Sequence, residues 1–103
     1  MKNHHLTPAQ IELLALLSEQ LGGAVQAVGQ VLRHGYDKSD PAKHDGATSR
    51  GLLETALGNV RATMIMLCES EGVSKEQIHF MADYKTQQVK KHLRYQKRAD
   101  TDG

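Results

Sequence analysis

Seven apolar residues, Ile11, Leu14, Leu17, Leu21, Val25, Val28 and Leu32, recur at steps of three or four along the first third of the chain. That spacing lays one apolar stripe along a helix of about seven turns at ~3.6 residues each. The same segment, SEQLGGAVQAVGQVLRHG, holds the interior glycines Gly22, Gly23 and Gly29. Each costs a helix about 1 kcal/mol relative to Ala, so the set costs on the order of 3 kcal/mol, a large part of a small domain's stability. Two readings stay open: another helix or a partner subunit approaches closely there, or a bulky ligand occupies the space. Thr7, Pro8 and Gln10 form the helix start, as cap, first helical residue and capping-box partner.

The stretch HGYDKSDPAKHDGAT, residues 34 to 48, has neither helical nor strand periodicity and reads as a long loop, either a lid or a plain crossover. A second helix is expected from about Ser49 to Glu71, with Leu52, Leu53, Ala56, Leu57, Val60, Met64, Leu67 and Cys68 inward and Gly72 at its end. Ser74 and Gln77 open a third with another capping box, and Ile78, Met81, Val89 and Leu93 give it a seam as far as Tyr95. The expected fold class is all-α: an antiparallel bundle of three to four helices over residues 7–98, with flexible termini at 1–6 and 99–103. At 103 residues the core is too small for a large enclosed cavity, so a homo-oligomer is expected to complete it.

A net charge of +1 with 24% charged residues supplies no general attraction to nucleic acid or membrane. The lone Cys68 excludes an internal disulfide framework and reads as a core residue of a reducing compartment. No signal segment is recognised, and no apolar run is read as approaching the ~20 residues that span a bilayer, so a soluble cytoplasmic protein is expected. No Ser or Cys nucleophile with a positioned His and acid is recognisable, and no Walker-type phosphate loop occurs. The pair His4 and His5 receives no role; His34, His44 and Asp45 are more simply solvated loop residues than a metal site.

Beside the apolar stripe, Glu19, Gly23, Gln26, Gln30 and Arg33 follow at steps of four, three, four and three and form a polar row. Ala56, Asn59 and Thr63 make a second row, and Lys85, Gln88, His92 and Tyr95 a third. The run from Glu19 to Gly35, ETALGNVRATMIML from Glu54 to Leu67, and YKTQQVKKHLRYQ resemble the phage branch of the MazG-like all-α nucleoside triphosphate pyrophosphohydrolases, over about Leu13 to Gln96. The carriers are Gln26-Ala27, Leu32-Arg33-His34-Gly35, Leu57-Gly58, Val60, Lys85, Val89, Leu93 and Tyr95. The resemblance implies Mg²⁺ ions held by a Glu-Glu-x-x-Glu motif and a Glu-x-x-Asp motif. The first motif falls on Glu19, Gln20 and Gly23, the second on Ala56 and Asn59. Only Glu19 is an acid, and the four positions implied to face the metals, Gln20, Gly23, Ala56 and Asn59, carry no carboxylate. Mg²⁺ is held through carboxylates and phosphates, so metal-dependent hydrolysis is expected to fail.

The reading that follows is a pseudoenzyme: a nucleotide-binding protein without cofactor, with Mg²⁺ expected only if hydrolysis persists. Its expected ligand-binding residues are Glu19, Gly23, Gln26, Gln30, Arg33, Asn59, Lys85 and Gln88, with Arg33 and Lys85 taking phosphates. By analogy with phage-borne members, a sponge that sequesters a nucleotide immune signal is one biological use. A divergent nucleotide pyrophosphohydrolase and a protein-binding helical module are the alternatives.

Overall fold

The computed structural model describes residues 5–39 and 46–96. Three helices follow one another, α1 (Pro8–His34), α2 (Ser49–Glu69) and α3 (Lys75–Lys90), and no named strand lies among the described residues, so the fold is all-α. The chain divides into two compact units, Met1–Gly72 with α1 and α2, and Val73–Gly103 with α3.

α1 starts where the cap predicts. The Thr7 hydroxyl accepts from the Gln10 N–H at 3.1 Å, and the Gln10 side chain accepts from the Thr7 N–H at 2.8 Å, which satisfies two of the helix's orphan donors. It ends at Gly35, whose φ of +83° suits a residue without Cβ, and whose N–H donates to the Val31 carbonyl. Thr48 caps α2 by accepting from the Gly51 N–H. The far end of α2 differs from expectation. Gly72 does donate to the Leu67 carbonyl and Glu71 to that of Cys68, the two bonds of a Schellman motif, but the left-handed residue is Glu71, at φ +65°.

α1 and α2 pack against each other, and His34 and Ser49 meet at one end of a shared cavity while Gly23 and Ala56 line it farther along. The pair is therefore antiparallel. The more buried positions of α1 include the row Leu13, Leu17, Gln20, Ala24, Ala27 and Val31, and those of α2 the row Ser49, Leu53, Ala56, Val60, Thr63 and Leu67. Both rows repeat every seven residues, the spacing of helices that cross at a shallow angle. Ala27 and Leu67 are the most buried apolar side chains among the described residues, at 8% and 6% exposure. Thr63, at 1%, is buried without penalty because its hydroxyl donates to the Asn59 carbonyl at 3.0 Å.

This arrangement corrects the orientation expected for α1. Of the seven residues in its apolar stripe only Leu17 is half-buried; Ile11, Leu14, Leu21, Val25, Val28 and Leu32 are exposed. The face turned to α2 is the one with Ala24 and Ala27, because small side chains let two helix backbones approach. On α2, Leu57 is likewise exposed where an inward position was expected. The expectation about membrane spans is also revised: α1 contains an 18-residue window of mean hydropathy 1.2 and is long and apolar enough to cross a bilayer by length and composition alone. A protein-covered helix meets the same test.

α3 is capped by Ser74, which accepts from the Gln77 N–H at 3.1 Å, and none of its residues is fully buried. It stops at Lys90 and does not reach Tyr95. Lys90, Lys91 and Arg94 place like charges within one turn with no acid among them, which weakens a helix end of this kind. Lys97, Arg98 and the terminal segment 99–103 lie outside the described residues, as do residues 1–4.

Two substitutions test the α1–α2 unit by urea denaturation. Ala27→Leu should overpack the contact layer and cost about 1–3 kcal/mol. Glu71→Gly should remove left-handed strain and stabilise by about 1 kcal/mol.

Candidate functional site

The cavity between α1 and α2 has a volume of about 600 Å³. It is built where the polar row of α1 borders the α2 interface. Gly23, Gln26, Ala27, Gln30 and His34 line it from α1, Ser49, Leu52 and Ala56 from α2, and Lys38 and Ala47 from the connection. Gly23 contributes open wall: a Cβ built there meets nothing within 4 Å among the described residues. Ala56 faces the same space with a single methyl.

The loop end of the cavity is set by hydrogen bonds that fold residues 36–39 onto the start of α2. The Ser49 N–H donates to the Lys38 carbonyl at 3.0 Å and the Arg50 N–H to that of Tyr36 at 2.8 Å. The Arg50 guanidinium stacks 4.9 Å above the Tyr36 ring and pairs with Asp37. Ser39 bridges to Thr48, and its hydroxyl donates to the Gly46 carbonyl at 3.1 Å. The first amides of α2 are thus taken by Lys38, Tyr36 and Thr48, so the helix N-terminus has no free N–H to offer a ligand there. Polar contacts must come from side chains. Ser49 is 5% exposed and lines the cavity.

The described lining has two basic side chains, His34 and Lys38, two amides, Gln26 and Gln30, one hydroxyl, and no carboxylate. The basic side chains sit at the loop end and the amides run away from them along α1. Such an arrangement can receive an anionic group at one end and a polar, uncharged group beyond it.

Of the residues expected from the sequence, Gly23, Gln26 and Gln30 come together in this cavity. Glu19 is exposed on the same polar row, and Asn59 is exposed on α2. Arg33 is exposed, its guanidinium lying 3.6 Å from where a Gly29 Cβ would be. Lys85 is exposed and Gln88 half-buried on α3, in the second unit. His34, Lys38 and Ser49 escaped the reading. Lys38 lies in an aperiodic loop, and Ser49 looked like a helix start. The proposed His34, His44 and Asp45 group cannot be placed, because His44 and Asp45 lie outside the described residues.

The donor set does not suit Mg²⁺. Gly23 and Ala56 offer no side-chain oxygen, and no group of three His, Cys, Asp or Glu side chains that could hold a metal occurs among the described residues.

Removing the Arg50 clamp tests how the loop end is held. Both partners are largely exposed, so Arg50→Ala should release only about 1 kcal/mol, read as roughly five-fold faster hydrogen exchange at the Ser49 and Arg50 amides. Comparison of the chain with protein-family models, with curated proteins and with solved structures found no match, so the chemistry of the site rests on its own residues.

Proposed function

We propose that the protein binds a phosphorylated small molecule of the nucleotide class in the α1–α2 cavity and does not hydrolyse it. The observation that carries this is a convergence: Gly23 and Ala56, two positions where the family resemblance implies metal-binding carboxylates, line one cavity from opposite helices. In their place stand a glycine and a methyl group. The wall that would have been acidic is neutral, and the basic side chains at the loop end are left without a competing acid in the described lining.

In this reading Lys38 and His34 take the phosphate oxygens, with the Ser49 hydroxyl as a further donor. Gln26 and Gln30 hydrogen-bond the sugar or base, while Ala27, Leu52 and Ala56 supply apolar wall. Arg33, expected from the sequence to take phosphates, is not among the residues that line the cavity. Binding without turnover is stoichiometric capture, which fits a sponge for a nucleotide signal; the phage setting of that role is analogy from the resemblance.

Isothermal titration of the full chain in EDTA against nucleoside triphosphates, cyclic dinucleotides and ADP-ribose, with chromatographic recovery of each ligand, tests the proposal. Binding of at least one class with the ligand recovered intact is expected, and Lys38→Glu should weaken it about ten-fold or more, ~1.4 kcal/mol or above. Cleaved ligand would overturn the non-hydrolytic part of the reading. No heat from any ligand in the panel would overturn the nucleotide part.

A further inference from the structure

Lys38 reaches the cavity from the connection, and the connection is held to the start of α2 on both sides of it. Before Lys38, the Tyr36 carbonyl accepts from the Arg50 N–H at 2.8 Å; after it, Ser39 bridges antiparallel to Thr48. The Lys38 carbonyl itself accepts from the Ser49 N–H at 3.0 Å. These bonds make a two-stranded ladder too short to be stable by itself in water. The Arg50 side chain reinforces it, with its guanidinium 4.9 Å above the Tyr36 ring and paired with the Asp37 carboxylate. Arg50 is outside the described lining of the cavity, whereas Lys38 and Ser49, bonded to each other, are both in it.

We propose that Arg50 is a positioning residue for anion binding: by clamping Tyr36 and Asp37 it holds the Lys38 backbone where the ammonium meets a phosphate, without touching the ligand. Lys38 takes a phosphate oxygen only in the function proposed above, so the clamp's role rests on that reading.

A Lys side chain is a flexible stem that ends in a point charge, so the space its ammonium samples is set by its Cα. When residues 36–39 leave α2, Lys38 carries its charge away from the cavity, and the apparent affinity falls with the fraction of molecules whose ladder is closed. The Arg50 and Asp37 side chains are 50% and 80% exposed, so the clamp shifts the closing equilibrium by only about five-fold. That factor is the ceiling of its effect on binding. The coupling is reciprocal: a bound anion favours the closed ladder and slows exchange of the Ser49 and Arg50 amides.

Asp37 separates positioning from simple electrostatics. Its carboxylate is next in sequence to Lys38, so by charge alone its removal favours an anion. As a partner of the clamp, its removal frees Lys38 and disfavours one. Tyr36 contributes an uncharged ring, and the stacking it offers is retained by Phe and lost with Leu.

Isothermal titration of the full chain in EDTA, with ATP, cyclic di-AMP and ADP-ribose as probes, tests this alongside hydrogen exchange at the Ser49 and Arg50 amides. For a probe that binds, Lys38→Gln should raise the dissociation constant about ten-fold. Arg50→Ala, Asp37→Asn and Tyr36→Leu should each raise it about two- to five-fold, and Tyr36→Phe should leave it unchanged. In the Lys38→Gln background Tyr36→Leu should have no further effect, because the clamp acts through Lys38. Saturating probe should slow exchange at both amides in the unmodified chain and not in Lys38→Gln. Binding that Lys38→Gln weakens but Asp37→Asn tightens or leaves unchanged would overturn the positioning role and leave the ligand reading standing. No binding of any probe, or binding that Lys38→Gln leaves unchanged, would overturn the assignment of Lys38 and the positioning role with it.

Discussion

Close approach of α1 and α2 through small residues is the constraint on which the rest of the unit depends. Ala24 and Ala27 on one helix and Ala56 and Thr63 on the other leave little side chain between the backbones. Such an interface buries modest apolar area and draws its stability from contact density. It also fixes the rotation of α1 about its own axis. With Ala27 turned to α2, Gly23, Gln26 and Gln30 border the groove and Val25 and Leu32 point away from it. One packing choice thus defines the cavity and turns an apolar face away from α2.

The connection completes the cavity by occupying the start of α2. The backbone bonds of Tyr36 and Lys38 to Arg50 and Ser49 fix where the chain runs, and the Arg50 side chain adds a stacked and ion-paired clamp over Tyr36 and Asp37. The consequence is chemical as well as structural. A helix N-terminus with open amides binds anions through its backbone, whereas this one has used those amides internally. The basic side chains that line this end of the cavity are those of Lys38, from the connection, and His34, in the last turn of α1.

Helix starts were legible in the sequence because caps are local. Thr7, Ser74 and the Thr48–Ser49 step each announce a start within four residues. The all-α class was legible for the same reason that the face assignment was not: the spacing of apolar residues reports a helix but not which of two apolar rows meets the neighbour. The larger residues of α1 suggested the row with Ile11, Leu21, Val25 and Leu32, yet an intrachain neighbour at close distance selects the row with the alanines. Within the site, Gly23, Gln26 and Gln30 were legible as a polar row at helical spacing. Lys38 was not, since a loop residue is placed by backbone bonds that leave no periodic trace. Glu71 shows the same limit, because its left-handed backbone is imposed by the closing bonds of Gly72 and not by any preference of Glu.

The interior glycines of α1 lie on two faces. Gly23 opens wall in the cavity, whereas Gly22 and Gly29 are not in its lining. Their electrostatic and steric effects differ accordingly. In the function we propose, carboxylates at positions 23 and 56 would repel a phosphate, and a metal would be needed to reverse the sign. With Gly23 and Ala56 there, the proposed anion would be drawn by Lys38; a unit-charge pair 4 Å apart is worth about 1 kcal/mol in water and ~4 kcal/mol at the effective dielectric of a protein surface. Affinity built this way weakens with added salt, since the screening length falls to about 8 Å at physiological ionic strength. Retention of a ligand then depends on the neutral contacts of Gln26, Gln30 and the alanine walls, which salt does not screen, and these are the groups best placed to distinguish one nucleotide from another.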